Sequence, residues 1–234
     1  MTLGVALVTG AARGIGRAIA LQLAKDGFNI ALNDIGHQDE LATLRDEIKA
    51  LGRDSIECFA DVSKEAEVKS MVDQTVEKLG SLDVMVANAG ISFTKFLIDC
   101  TLEDWDKIFD VNAKGVFLCY KYAALAMIQQ GRGGRIIGAA SLAGKQGFPR
   151  ASFYSATKFA VRGLTHSLAL ELRPYGITVN AYAPAQDYHE RHSKGVDPLK
   201  FGSAVGNPED VANLVSYLAS KDTNFLSGKF SCLT

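Results

Sequence analysis

What most limits the folds open to this chain is a regular alternation along it. Apolar runs suited to strands occur at 5–10 (VALVTG), 29–34 (NIALND), 55–61 (SIECFAD), 82–90 (LDVMVANAG), 134–141 (GRIIGAAS) and 176–184 (GITVNAYAP). Segments of helical period separate them, near 14–26, 39–51, 64–79, 101–130, 152–173 and 208–219. Strands that are apolar throughout belong inside a parallel sheet with helices on both faces. Right-handed crossovers then wind the chain both ways from a central strand. The expected class is α/β, a doubly wound parallel sheet. The chain has 234 residues, 47% of them hydrophobic, which is enough for one such core. No linker, repeat or low-complexity tract divides it, so 1–234 is read as a single domain.

Several helix ends are written locally. Asn207-Pro208-Glu209-Asp210 is a strong start, with a capping residue, a proline for the first turn and two acids for the positive helix end. Pro174 and Gly176 close the segment that begins near 152. The stretch 185–206 is polar and predicts no clear element.

Formal net charge is −1, so no electrostatic footprint points to nucleic acid or an anionic membrane. Cys58, Cys100, Cys119 and Cys232 are scattered, with no C-x-x-C, which reads as reduced thiols in a reducing compartment. The opening MTLGVALVTG lacks a basic leader and a cleavage site, so it is read as a buried strand. No apolar run reaches the length that spans a bilayer. A cytoplasmic location is expected.

The first strand runs into Thr9-Gly10-Ala11-Ala12-Arg13-Gly14-Ile15-Gly16. A glycine-rich turn between strand and helix lets the backbone approach a pyrophosphate, and the helix N–H groups bind the anion. This marks the fold as a Rossmann type and Gly10, Gly14 and Gly16 as the turn. The second strand ends at Asp34, placed to accept both ribose hydroxyls of the adenosine half. Its charge would repel a 2′-phosphate, and Ile35 offers no neutralising base, so NAD is expected over NADP. Arg13, in the turn, is the counter-indication. Further on, Tyr154 and Lys158 stand four apart, on one face of a predicted helix. Alone, that pair could equally be an ordinary surface pair.

Together these pieces resemble the short-chain dehydrogenase/reductases along nearly the whole chain. The matching residues, in family order, are TGAARGIG (9–16), Asp34, Asp61-Val62, Asn88-Ala89-Gly90, Asn112, Ser141, Tyr154-x-x-x-Lys158 and NPEDVA (207–212). Within the family, GGRIIGAASLAGKQG, YSATKFAVRGLTHSLALEL and GITVNAYAP are similar to acetoin/diacetyl reductases and butanediol dehydrogenases. The resemblance implies that Gly10, Arg13, Gly14, Ile15 and Gly16 hold the pyrophosphate and Asp34 the adenosine ribose. It implies that Asp61 and Val62 flank the adenine, and that Asn88, Gly90 and Pro184 line the cofactor cleft. Asn88 would also brace the central strands. Asn112, Ser141, Tyr154 and Lys158 would form the catalytic tetrad.

The implied chemistry suits those residue types. Oxidising an alcohol removes a hydride from carbon and a proton from oxygen, and the protein must take the proton. A free phenol has a pKa of about 10, too high for a base near neutrality. A neighbouring ammonium favours the phenolate, and Lys158 can supply it. The resemblance gives Lys158 a hydrogen bond to the nicotinamide ribose, Ser141 the substrate oxygen, and Asn112 a water that relays protons. Phe93, Phe96, Leu142, Phe148 and Phe153 are read as partly core, some walling the substrate pocket.

The expected activity is hydride transfer between NAD(H) and a small secondary alcohol or ketone, a diol or hydroxyketone among them. Two alternatives stand beside it: an NADP(H)-dependent ketoreductase of secondary metabolism, and a cofactor-binding protein whose activity is reduced or lost. The second arises because 185–206 is shorter than the usual substrate lid and Pro184 is followed by Ala185-Gln186-Asp187. After Leu226-Ser227-Gly228 the pattern also departs from the family, so a short or altered last strand is expected. No metal site is expected. His189-Glu190-Arg191-His192 lacks the spacing of a zinc motif and is read as a solvated loop. A homodimer or homotetramer is expected, paired through the helices near 101–130 and 152–173.

Overall fold

Seven strands form one sheet, every pair of neighbours parallel, in the order β3-β2-β1-β4-β5-β6-β7. The computed structural model describes residues 2–184 and 207–233. The strands are β1 (Val5–Thr9), β2 (Asn29–Asp34), β3 (Ser55–Phe59), β4 (Val84–Ala87), β5 (Gly134–Ala139), β6 (Ile177–Pro184) and β7 (Phe230–Leu233). The helices are α1 (Gly14–Asp26), α2 (Gln38–Ala50), α3 (Glu65–Leu79), α4 (Leu102–Phe109), α5 (Gly115–Gln130), α6 (Ser152–Glu171) and α7 (Pro208–Ala219). The chain moves outward from β1 to β3, then returns to β4 on the other side of β1. That reversal opens a crevice at the carboxyl ends of β1 and β4, where sheets of this kind bind ligands.

Alternation within strands builds the two cores. Leu7, Ala31, Met85 and Ile136 face one layer, with Met71 of α3, Val116 of α5 and Val161 of α6. Ala6, Val8, Ile30, Leu32, Val84, Val86 and Ile137 face the other, with Ile19 of α1, Leu44 of α2 and Val215 of α7. Successive strand side chains point to opposite faces. Strands buried on both faces must therefore be apolar throughout, as the sequence runs are.

Two boundaries differ from the sequence reading. The run 82–90 is a strand only over Val84–Ala87, because the Asn88 N–H turns away to the Thr9 hydroxyl at 2.9 Å. The segment 101–130 is not one uniform α-helix. Asp110–Lys114 forms a π-helical turn between α4 and α5, with the Gly115 N–H donating to the Asp110 carbonyl. The last strand is short, as the sequence leads one to expect. β7 is four residues long and pairs Phe230 to Leu233 with Ala181 to Pro184. At the start of α7 the Asn207 N–H donates to the Asp210 carboxylate at 2.7 Å, as the NPED pattern requires.

Candidate active site

The turn after β1 shows why its glycines are needed. Gly10 has φ +62°, and a Cβ there would lie 3.0 Å from the Ala89 Cα. A Cβ on Gly16 would fall inside the Gly10 carbonyl and the Asn88 amide. Any side chain at Gly16 therefore pushes α1 off the turn. Arg13 precedes α1 without a side-chain cap, and the first helical turn carries no acid. Thirteen residues of helix thus point an uncapped, positive end at the crevice. Arg13 and Gly14 are exposed there and Ile15 is half-buried. A pyrophosphate fits this cradle in charge and in room.

Asn88 locks the crevice. Its amide donates to the Thr9 carbonyl at 2.8 Å and the Gly10 carbonyl at 3.2 Å, tying β4 to β1. The Thr9 hydroxyl accepts from the Asn88 and Ala89 N–H groups at 2.9 and 3.0 Å. Farther along the edge, Asp34 is nearly buried. Its Oδ1 accepts from the Gly36 N–H at 3.3 Å and lies 3.0 Å from His37 Nδ1. The Asn33 amide donates to the Cys58 and Ala60 carbonyls and fixes the end of β2 against β3. Asp61 Oδ1 accepts from the Ser63 N–H at 2.9 Å, and its own N–H donates to Glu67. Val62 is buried in the core beside Gly115.

The second half of the crevice lies between β4, β5 and α6. Lys158 is 4% exposed, and its ammonium donates to the Ala139 carbonyl at 2.8 Å, at the end of β5. Burial lowers its pKa to about 8. The same ammonium lies 5.5 Å from the centroid of the Tyr154 ring. Gly90, exposed, faces both Lys158 and Asn112; a Cβ there would be 3.8 Å from Lys158 Nζ and 3.2 Å from Asn112 Oδ1. Asn112 sits in the π turn, fully buried. Its Oδ1 accepts from the Ile91 N–H and its Nδ2 donates to the Ile91 carbonyl, both at 2.8 Å. These two bonds tie the loop after β4 to the π turn, and the amide oxygen keeps a second acceptor site. Ser141 is half-buried two residues beyond β5, its hydroxyl accepting from the Ala143 N–H at 3.2 Å. Pro184 ends β6.

A separate clasp shapes the mouth. The Lys95 N–H donates to the Arg150 carbonyl at 2.9 Å, and the Lys95 ammonium pairs with Asp104 at 2.6 Å. That ammonium, with the Thr101 N–H, holds the Asp104 carboxyl at about 2. Phe93 packs on buried Phe153 with ring centroids 4.9 Å apart. The segment 185–206, including the expected reduced lid and His189 to His192, lies outside the described residues. Among the described residues, no group of three or more His, Cys, Asp or Glu could hold a metal ion. Among them too, no helix is long and apolar enough to cross a membrane.

The order of strands and the uncapped glycine turn define a Rossmann-type fold, with Tyr154 and Lys158 beside its crevice. The chain belongs to the short-chain dehydrogenases, whose family model matches residues 4–187. It is 51% identical to a short-chain dehydrogenase/reductase of Armillaria gallica, over 96% of this chain and 92% of that protein. It is 43% identical to the 3-oxoacyl-[acyl-carrier-protein] reductase FabG of Staphylococcus aureus, over 96% and 94%. Among solved structures, acetoin dehydrogenase YohF from Salmonella typhimurium matches with a TM-score of 0.89 at 33% identity, covering 99% of this chain and 94% of that one. Carveol dehydrogenase from Mycobacterium avium, in complex with NAD, matches at 0.91 and 30%, covering 100% and 96%.

Four residues with a hand in the site were not singled out by the sequence. Thr9 carried a signal, as the last strand residue before the glycine turn. Asn33, a polar residue within an apolar strand, carried a weaker one. Thr157 donates to the Tyr154 carbonyl at 2.7 Å and meets the Asn112 amide at 3.5 Å. Tyr182 reads as one more buried strand residue until the register is known.

Proposed function

We propose that the protein transfers hydride between NAD(H) and a small secondary alcohol or ketone, with diols and hydroxyketones the favoured class. The observation that carries this reading is the buried Lys158 ammonium beside the Tyr154 ring, at the carboxyl edge that also bears the Gly10–Gly16 turn. Gly10, Arg13, Gly14, Ile15 and Gly16 hold the pyrophosphate, Asp34 the adenosine ribose, Asp61 and Val62 the adenine. Asn88, Gly90 and Pro184 line the cleft toward the nicotinamide. Bound there, the nicotinamide supplies or accepts the hydride. Ser141 orients the substrate oxygen, and Tyr154 takes its proton in oxidation or returns it in reduction. Lys158 favours the phenolate form and bonds the nicotinamide ribose. Asn112 positions the loop after β4 behind them. The likeness to an acetoin dehydrogenase supports the hydroxyketone class.

A second reading, NADP(H)-dependent ketoreduction, draws on exposed Arg13 and on the 3-oxoacyl reductase relative. One assay separates the two. The purified protein is given NAD(H) or NADP(H) with a panel of secondary alcohols, diols, hydroxyketones and 3-oxoacyl thioesters. NAD(H) is expected to be preferred about tenfold or more, and Asp34→Asn to erase most of that preference by removing the like charge that opposes a 2′-phosphate. A wild-type preference for NADP(H) would transfer the assignment to the second reading.

A homo-oligomer is proposed through α4, α5 and α6, the last carrying exposed Phe159 and Leu170. Leu102, Trp105, Phe117 and Leu125 are exposed along the first two, with Trp105 stacked on Phe109 at 4.1 Å. Exposed side chains of this size are available to pack against a second copy. Light scattering on the purified protein is expected to give a dimer or tetramer mass, and a monomer at micromolar concentration refutes the assignment.

A further inference from the structure

The phenol of Tyr182 lies at the far end of the same lock that holds the glycine turn. Its hydroxyl donates to Asn88 Oδ1 at 2.7 Å, while Asn88 Nδ2 donates to the Thr9 and Gly10 carbonyls. One side chain on β6 therefore reaches past β5 to β4, and through Asn88 to the turn after β1. Neighbouring strands are about 4.8 Å apart, so the reach covers roughly two strand spacings. The long, rigid phenol makes it possible, and so does Ala139, the small register partner of Tyr182 on β5. Tyr182 is 1% exposed and packs in the layer that includes Ala11, Ala12 and Ile19, directly behind the turn and α1.

We propose that Tyr182 is a positioning residue for dinucleotide binding, setting the Gly10 turn through the orientation of Asn88. This rests on the reading that the turn holds the dinucleotide. An asparagine amide has two ends, and only one orientation serves the turn. The Thr9 and Gly10 carbonyls need donors, so Nδ2 must face them. Oδ1 then faces the interior and requires a donor of its own, which the Tyr182 hydroxyl supplies. Without it, Oδ1 is left unpaired, and the amide gains by rotating toward water or another donor. The space above Gly16 is bounded by the same amide, so a rotated Asn88 alters the seat of α1 as well as the carbonyls. Burial, with the Tyr120 and Tyr154 phenols adding, pushes the Tyr182 pKa far up, so the hydroxyl remains a donor throughout the working range. Tyr182 reaches neither nucleotide nor substrate in this scheme and acts only through Asn88.

The test is a double-mutant cycle on the full chain, with Tyr182→Phe, Asn88→Ala and the pair, read by calorimetric titration with NAD and by steady-state kinetics. Tyr182→Phe removes one oxygen and keeps the ring, so the fold is retained; melting curves verify that. The expected result is about tenfold weaker NAD binding, or about 1.4 kcal/mol, with kcat at saturating NAD within about twofold of wild type. In the Asn88→Ala background the same change is expected to have no further effect on affinity. A merely structural tyrosine would lower the melting temperature in both backgrounds without this split. Unchanged NAD affinity in Tyr182→Phe, or an equal loss with Asn88 absent, overturns the proposal while the dinucleotide reading stands. Failure of the wild-type protein to bind NAD or NADP overturns both.

Discussion

Tyr154→Phe is expected to lower kcat by about a thousandfold and to leave the affinity for NAD within about twofold. The substitution deletes the phenol oxygen and keeps the ring. Packing at the start of α6 and the approach of the Lys158 ammonium to the ring face, at 5.5 Å, are both retained. What is lost is the atom that carries the proton. General acid–base groups contribute about 10²–10⁴ to rate, and no other phenol, imidazole or carboxylate stands with Lys158 in the described contacts to replace it. Lys158 itself is committed to the Ala139 carbonyl and to its electrostatic role. The pH dependence of kcat/KM should change in form with the hydroxyl gone, leaving the titration of Lys158 near 8. Retention of more than a third of the wild-type kcat would remove Tyr154 from the chemistry and leave only a structural place for it.

The parts of this site that are legible in sequence are those written in local chemistry. Glycines at 10, 14 and 16 answer to backbone constraints that any reader of the turn can state. Asp34 ends a strand whose apolar run announces that end. Tyr154 and Lys158 share a face because an α-helix has a fixed period. What escapes is set by register and by irregular backbone. The π turn at Asp110–Lys114 contains neither glycine nor proline to announce it, so 101–130 reads as one helix although Asn112 sits in the irregularity. A short last strand is expected after Gly228, but the bounds of β7, four half-buried residues, are too few for alternation to fix. Tyr182 depends on where β6 stands relative to β4, which is fixed by pairing across β5 and not by anything beside it in the chain. The commitment of the Asn112 side chain to Ile91 likewise becomes visible only once the loop after β4 is folded.

Lys158→Met should abolish most activity and also change how stability depends on pH. The activity loss is expected to be about a hundredfold or more, since the phenolate of Tyr154 loses the cation that favours it. The stability effect has a definite sign. Burial lowers the Lys158 pKa from its ordinary 10.5 to about 8. Between those values the unfolded chain binds the proton and the folded protein does not, so stability rises with pH across the window. Above the unfolded pKa the lysine is neutral in both states and its burial carries no charge penalty. As pH falls through about 8 the folded protein must bury an ammonium, and the full penalty is present. At about 1.4 kcal/mol per pKa unit, the wild type should gain about 3 kcal/mol over Lys158→Met between pH 8 and 10.5. Methionine also strands the Ala139 carbonyl, at about 1–3 kcal/mol, but that cost does not vary with pH and cancels from the slope. Urea denaturation of both proteins across this range, without dinucleotide, measures the difference directly. Parallel pH profiles would mean that the ammonium is solvated in the folded state, and a solvated cation could do little for Tyr154. A converging or diverging profile of the stated sign ties the instability of the resting protein to the group its chemistry needs. Low-dielectric surroundings penalise the ammonium and strengthen its pull on a neighbouring group alike, so the role proposed for Lys158 carries a cost in stability.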